Sequence, residues 1–293
     1  MGRLTAGVTS PRPRSNERLG FPAEARLLIV NVDDVGLYAG ANRAAVETIE
    51  AGIASSCSLM VPAPGAPAAM HLLRERPQIP FGIHLTLICD FPSHPWAPVA
   101  PKERVPSLLD RAGRLYSPDD KGLLVEEARV AEVELELRAQ IDTVLGAGLA
   151  PTHLDWHCLA DGGRADLFDL SLTLAAEYGL AARVWLEPGL RTVRERGLPV
   201  VDHRFLDSFA LDLDGKAARY AELLRGLPAG LSEWAVHPAI SDEESRALDP
   251  GWRVRQSDYD FLTSPQAREI VLQEGIVIID YRGIQQLWGS AHG

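Results

Sequence analysis

The chain has 293 residues, 46% of them hydrophobic, which suits one large α/β domain or two small ones. A net charge of −11 argues against a protein that grips nucleic-acid phosphates, although it leaves room for a local basic pocket. Cys57, Cys89 and Cys158 share no CxxC spacing and are odd in number, which argues against a disulfide framework and for a reducing, cytoplasmic setting.

Residues 1–25 carry Arg3, Arg12, Arg14 and Arg18 and three prolines but no apolar core. They read as a loosely attached extension, not a signal peptide, before a single domain over 26–293. No stretch is long and apolar enough to span a membrane. Leu27-Leu28-Ile29-Val30 is a continuous apolar run, which predicts a strand buried on both faces. It leads into Asn31-Val32-Asp33-Asp34-Val35-Gly36. One Asp there would be explained as a helix cap. Two adjacent acids at the end of a core strand are costly unless paired or metal-bound, and so favour a functional role. A helix follows over 42–51 with Gly52 as its stop, then a strand over 56–61 and a helix over 68–76 ended by Pro77. Phe81-Gly82-Ile83-His84-Leu85-Thr86-Leu87 alternates with a period of two, and His84 faces away from the apolar side chains. Alone, it reads equally as a satisfied core histidine.

Residues 88–120 hold six prolines and form a long irregular insertion, the kind of segment used as a lid or binding loop. Its Trp96 and Tyr116 either stack on a substrate or anchor the loop. Gly122 to Gly146 reads as one helix, with Val133, Leu137, Ile141 and Val144 on its apolar stripe. Glu126, Glu127, Glu132, Glu134 and Glu136 read as its solvated face. Thr152-His153-Leu154-Asp155-Trp156-His157 alternates polar and apolar, which predicts a short strand with His153, Asp155 and, if it continues, His157 on one side. Imidazole and carboxylate suit zinc and related cations. Beyond it come a loop with Gly162-Gly163, a helix over 167–178, a strand over 182–186 and a helix over 216–224. A strand over 231–236 then ends at His237-Pro238, followed by a polar loop over 241–256, a helix over 265–274 and a last buried strand over 276–279.

Strands alternating with helices predict a parallel sheet. About seven or eight parallel strands favour an irregular, closed or nearly closed (β/α) barrel, TIM-barrel-like, over an open sheet. Neither GxGxxG, a P-loop nor a GxSxG elbow is present. In a parallel barrel the site lies at the C-terminal strand ends. Those ends carry Asp33 and Asp34, then His84, then His153, Asp155 and His157, then His237. Four of the eight histidines thus fall in or just after predicted strands, whereas His71, His94, His203 and His292 lie elsewhere.

Leu28 to Gly36, Gly82 to Leu87, Thr152 to His157 and Val236-His237-Pro238, in that order, resemble the YdjC-like carbohydrate deacetylase family, which includes the chito-oligosaccharide deacetylases. The resemblance implies a (β/α) barrel, one divalent metal ion (Mg2+ or Zn2+) and hydrolysis of the N-acetyl group of a small-molecule carbohydrate. It implies Asp34, His84 and His157 as metal ligands and Asp33 as general base. It implies His237 as general acid or oxyanion support, with His153 and Asp155 in supporting positions. No nucleic-acid or membrane partner is implied, and a homodimer is a candidate assembly.

Typical members continue past His157 with further histidines, where this chain has Cys158-Leu159-Ala160-Asp161, and Trp156 replaces a smaller residue. That difference bears on the substrate more than on the chemistry. Cys158 reads as a weak extra ligand or as a packed thiol. The altered loop also motivates a same-fold carbohydrate-binding or regulatory protein without turnover. A metal-dependent hydrolase of phosphate esters or amides is a third reading, with Arg164, Arg183 and Arg253 serving an anionic substrate instead of surface ion pairs.

Overall fold

The computed structural model describes residues 13–91 and 93–290. Its strands are β1 (Arg26–Val35), β2 (Ser56–Leu59), β3 (Phe81–Leu85), β4 (His153–Trp156), β5 (Ala181–Ala182), β6 (Leu206–Asp207), β7 (Gly230–Val236) and β8 (Val277–Ile278). The sheet order is β5-β4-β3-β2-β1-β7-β6, with β8 beside β1, and these strand pairings are parallel. Helices surround the sheet, so β1, buried on both faces, supplies the fully covered Leu27, Leu28, Ile29 and Val30. Among the described residues no pairing joins β5 to β6, and the barrel-like α/β fold is a curled half-barrel left open on that side.

The opening has a local cause. The strand expected over 182–186 stops at Ala182: the Arg183 N–H still donates to the Leu154 carbonyl, but the N–H groups of Trp185 (3.3 Å) and Leu186 (2.9 Å) donate to the Asp161 carboxylate and not to a neighbouring strand. Leu186 is left exposed. The last strand is likewise reduced to Val277–Ile278, paired with Leu27 and Leu28, and Val277 is exposed rather than buried.

The helix expected over 122–146 is two helices, Lys121–Glu127 and Val130–Gly146. At the break the Arg164 guanidinium donates to the carbonyls of Val125 (2.6 Å) and Ala128 (2.9 Å), which replaces hydrogen bonds a continuous helix would make. The acidic run is not simply a solvated face. Glu136 is fully buried and accepts from the backbone N–H groups of Val99 (3.0 Å) and Ala100 (2.8 Å), while Glu132 accepts from that of Ser107 (2.7 Å). These carboxylates latch the proline-rich insertion to the helix. Trp96 and Tyr116 are buried too, Trp96 edge-on to Phe91, so both anchor the insertion.

The polar stretch 241–256 contains the helix Glu243–Leu248 and the start of a second, Trp252–Leu262. The second helix buries Arg255, Asp258, Phe261 and Leu262. Half of its inward face is charged, with Lys216 2.7 Å from Asp258, so hydrophobic periodicity does not reveal it. Of the N-terminal segment, residues 1–12 lie outside the described residues, as does His292. The helix Ser15–Arg18 buries Ser15 and Asn16, and Asn16 donates to the carbonyls of Pro22, Ala23 and Ala25.

Candidate active site

Successive side chains of a regular strand point to opposite faces, so a straight β1 would separate Asp33 from Asp34. The pairing with β2 instead shifts between Val32 and Val35, and Asp34 takes a left-handed backbone conformation at φ 64°. Such a conformation costs a non-glycine residue about 1–3 kcal/mol. It brings both carboxylates to one cavity of about 500 Å³ at the C-terminal strand ends. Gly36 completes the turn at φ 103°, where an added Cβ would sit 3.0 Å from the Met60 carbonyl oxygen.

Asp33 is clamped by the Arg183 fork, Nη1 to Oδ2 and Nη2 to Oδ1, both at 2.8 Å, and accepts from Asn31 Nδ2 at 2.7 Å. Arg183 also reaches Asp155 and Glu233, each at 2.8 Å, and Tyr281 donates to Glu233 at 2.7 Å. Asp34 Oδ2 pairs with Arg255 at 2.7 Å, and Arg255 pairs in turn with Asp249 at 2.7 Å. Asp34 Oδ1 lies 3.3 Å from His84 Nε2 and 3.1 Å from His157 Nδ1. Neither approach has hydrogen-bond geometry, and this buried oxygen has no hydrogen-bond partner. His84 Nδ1 faces Asp155 at 3.0 Å, and Asp155 accepts from Ser58 at 2.6 Å. A carboxylate on one imidazole nitrogen directs the lone pair of the other toward the cavity.

The donor set suits a divalent cation. Asp34, His84 and His157 each offer one ligand atom, and these atoms lie within 4.8 Å of one another. The carboxylates of Asp33, Asp34, Asp155, Glu233 and Asp249 outnumber the guanidiniums of Arg183 and Arg255 that pair with them. Protons take up part of this deficit. Burial pulls the His84 imidazole down, but Asp155 and Asp33 push it up to about 9. Burial likewise opposes the charge on His157, yet Asp90 above all holds its pKa well above the ordinary range. Asp33 and Asp34 stay below the usual carboxylate range despite burial, held there chiefly by Arg183 and Arg255 respectively.

His153 stands one layer behind. Its ring is fully buried, stacked on Tyr281 at 3.7 Å, with Nδ1 2.9 Å from Thr152 and Nε2 3.3 Å from Ser58. Gly82 makes room for it, since a Cβ there would sit 2.5 Å from His153 Nε2. Burial lowers the His153 pKa to about 4. A folded pKa below the unfolded value of about 6.5 means the unfolded chain binds the extra proton between the two, so stability is lost as pH drops through that window. The loss expected on acidification from about pH 7 to about pH 4 is on the order of 3 kcal/mol. His153→Gln is expected to remove this component in urea melts, and equal acid sensitivity in the two proteins would refute it.

His237 follows β7 across the cavity. Its Nδ1 is 2.8 Å from Ser208 Oγ, its backbone N–H donates to Asp258 at 3.0 Å, and its ring stands edge-on to Phe209. Trp185, Phe205 and Phe209 form an aromatic wall of the same cavity. Cys158 is exposed, not packed, and lines the cavity beside Asp90. Sequence reasoning missed Arg255, Asp90, Asp249 and Glu233. The available signal was Ser232-Glu233 inside an otherwise apolar strand, since a buried acid needs a partner.

Residues 27–273 match the family described as YdjC-like protein. A carbohydrate deacetylase of Thermus thermophilus is 34% identical over 269 residues, covering 88% of this chain and 93% of that protein. A carbohydrate deacetylase of Geobacillus stearothermophilus is 30% identical over 264 residues, covering 89% and 99%. A crystal structure from Enterococcus faecalis V583, of a protein provisionally assigned to cellobiose-phosphate cleavage, aligns with a TM-score of 0.75 at 25% identity, covering 88% of this chain and 98% of that one. With its segments matched from β1 to the helix Pro265–Gln273, this chain belongs to the YdjC-like protein family.

Proposed function

We propose that this chain hydrolyses the acetyl group from an N-acetylated sugar or oligosaccharide, at one divalent cation, Mg2+ or Zn2+, held by Asp34, His84 and His157. The observation that carries the reading is the convergence of Asp34 Oδ1, His84 Nε2 and His157 Nδ1 beside the clamped carboxylate of Asp33. Relatives named carbohydrate deacetylases, matched over nearly their whole length, support it. The proposal takes residues 26–293 as one catalytic domain working in the cytoplasm. The three cysteines are free, and no helix among the described residues is long and apolar enough to cross a membrane.

When bound, the cation polarises the acetyl carbonyl and makes water acidic enough for a carboxylate as weakly basic as Asp33. Asp33 accepts the proton of the attacking water. The Arg183 fork keeps Asp33 ionised and fixed in orientation. Asp155 holds His84 in the tautomer that offers Nε2. His237, with Nδ1 tied to Ser208, uses its remaining nitrogen to support the oxyanion and to protonate the departing amine. Acetate and a free amino sugar result. The aromatic wall offers apolar faces for the sugar rings.

The phosphate-ester reading loses its cations. Arg183 is committed to three carboxylates, Arg164 to carbonyls and Asp166, and Arg253 does not line the cavity.

The test uses full-length protein stripped with a chelator, then supplied with Mg2+, or with Zn2+ at no more than one equivalent, and offered N-acetylglucosamine oligomers, phosphate esters and amides. Acetate release from the N-acetyl sugars alone, and only after cation is restored, is expected. Cation entry must expel protons from His84 and His157, so binding should tighten as pH rises through neutrality, with proton release measurable by calorimetry in two buffers. A fully loaded protein that frees no acetate from any N-acetyl sugar would sink the proposal.

A further inference from the structure

His157 presents its two ring nitrogens to different ligand sets. Nδ1 faces Asp34, while Nε2 faces Asp90 Oδ1 at 3.1 Å and Cys158 Sγ at 3.3 Å. Cys158 Sγ and Asp90 Oδ1 are 3.9 Å apart. Tetrahedral zinc, with bonds of about 2.0–2.3 Å, needs ligand atoms separated by roughly 3.2–3.8 Å. The three atoms approach that spacing without a metal. Asp90 Oδ2 is buried and has no hydrogen-bond partner. Cys158 takes a left-handed backbone conformation at φ 58°, and its exposed position on the cavity gives an ion a way in.

We propose that Asp90, His157 and Cys158 form a second cation site, selective for thiophilic divalent ions such as zinc or cadmium, and that filling it shuts down the first. Thiolate selects such ions over magnesium, whereas the Asp34, His84 and His157 set has no sulfur. The antagonism follows from the shared imidazole, because a neutral ring offers a metal only one nitrogen. With Nδ1 serving the first site, Nε2 keeps its proton and donates it to Asp90. When an ion takes Nε2, that proton moves to Nδ1, the Cys158 thiol loses its proton to solvent, and the first site keeps only Asp34 and His84. The inhibitory half rests on the proposed metal centre. The existence of the second site does not.

The experiment titrates cadmium into metal-stripped, full-length protein and follows the ultraviolet thiolate-to-cadmium charge-transfer band. A saturable band is expected in the native chain, absent in Cys158→Ser and weakened in affinity about tenfold or more in Asp90→Asn. In parallel, zinc is added in excess to the magnesium-supported reaction, each protein normalised to its own rate before zinc. Inhibition should need about tenfold more zinc, or more, in Cys158→Ser. No band in the native chain, or equal cadmium affinity in Cys158→Ser, overturns the site. A band with identical zinc inhibition in both proteins overturns the antagonism. If no acetate is released at all, the deacetylase reading has failed, and the cadmium band still decides the second site.

Discussion

Asp33→Asn is expected to lower acetate release by about a hundred- to ten-thousand-fold, the range by which a positioned base accelerates a reaction. Cation affinity should hardly change, because Asp34, His84 and His157 supply the ligand atoms. The amide keeps the carboxylate's shape but cannot take the water's proton, and its NH2 group abuts the donating Arg183 fork. A modest loss of melting temperature should therefore accompany the loss of rate. Burial raises the Asp33 pKa, but Arg183 and His84 outweigh burial and hold it low. The base form therefore persists as pH falls, and the native enzyme should show no acid limb from Asp33 above about pH 4. Steady-state kinetics and calorimetry on the same preparation check both halves. A variant within a few-fold of the native rate would remove Asp33 from the role of base.

Arg183→Met should have the largest effect on folding. One guanidinium serves Asp33, Asp155 and Glu233, each at 2.8 Å, and all four side chains are buried. Removing it strands several carboxylates, and breaking a buried pair in this way costs about 3–5 kcal/mol. For a chain of this length that corresponds to a fall in melting temperature on the order of 10 °C. Asp33 and Asp155 have folded pKa values depressed below the unfolded ones. Their contribution is therefore complete above the unfolded carboxylate range of about 4 and is lost as pH falls through the folded values. The gap between Arg183→Met and the native protein should narrow on acidification below about pH 4. Thermal melts across pH measure this, and a gap that stays constant or widens would contradict it. Arg183→Lys should recover only part of the loss, since an ammonium cannot reproduce the fork.

The apolar run Leu27 to Val30 and the alternation of Phe81 to Leu87 marked real strands because their side chains meet ordinary core neighbours. Periodicity failed where a buried face is charged. The helix Trp252–Leu262 looked like polar loop because its inward face carries Arg255 and Asp258. Glu136 looked solvated because its partners, the backbone N–H groups of Val99 and Ala100, are unrelated to it by any local pattern.

By itself the chain determined an α/β order of strands and helices, and an ordered set of strand-end acids and histidines, because both follow from local repeats and residue types. Only the tertiary structure decided that Asp34 turns to share a cavity with Asp33, that Arg183 crosses to three acids, and that Asp90 and Cys158 meet at the far nitrogen of His157. The first is a backbone conformation that residue type does not announce, and the other two are contacts between segments far apart in the chain. Their electrostatics depend on burial and distance, neither of which residue spacing records.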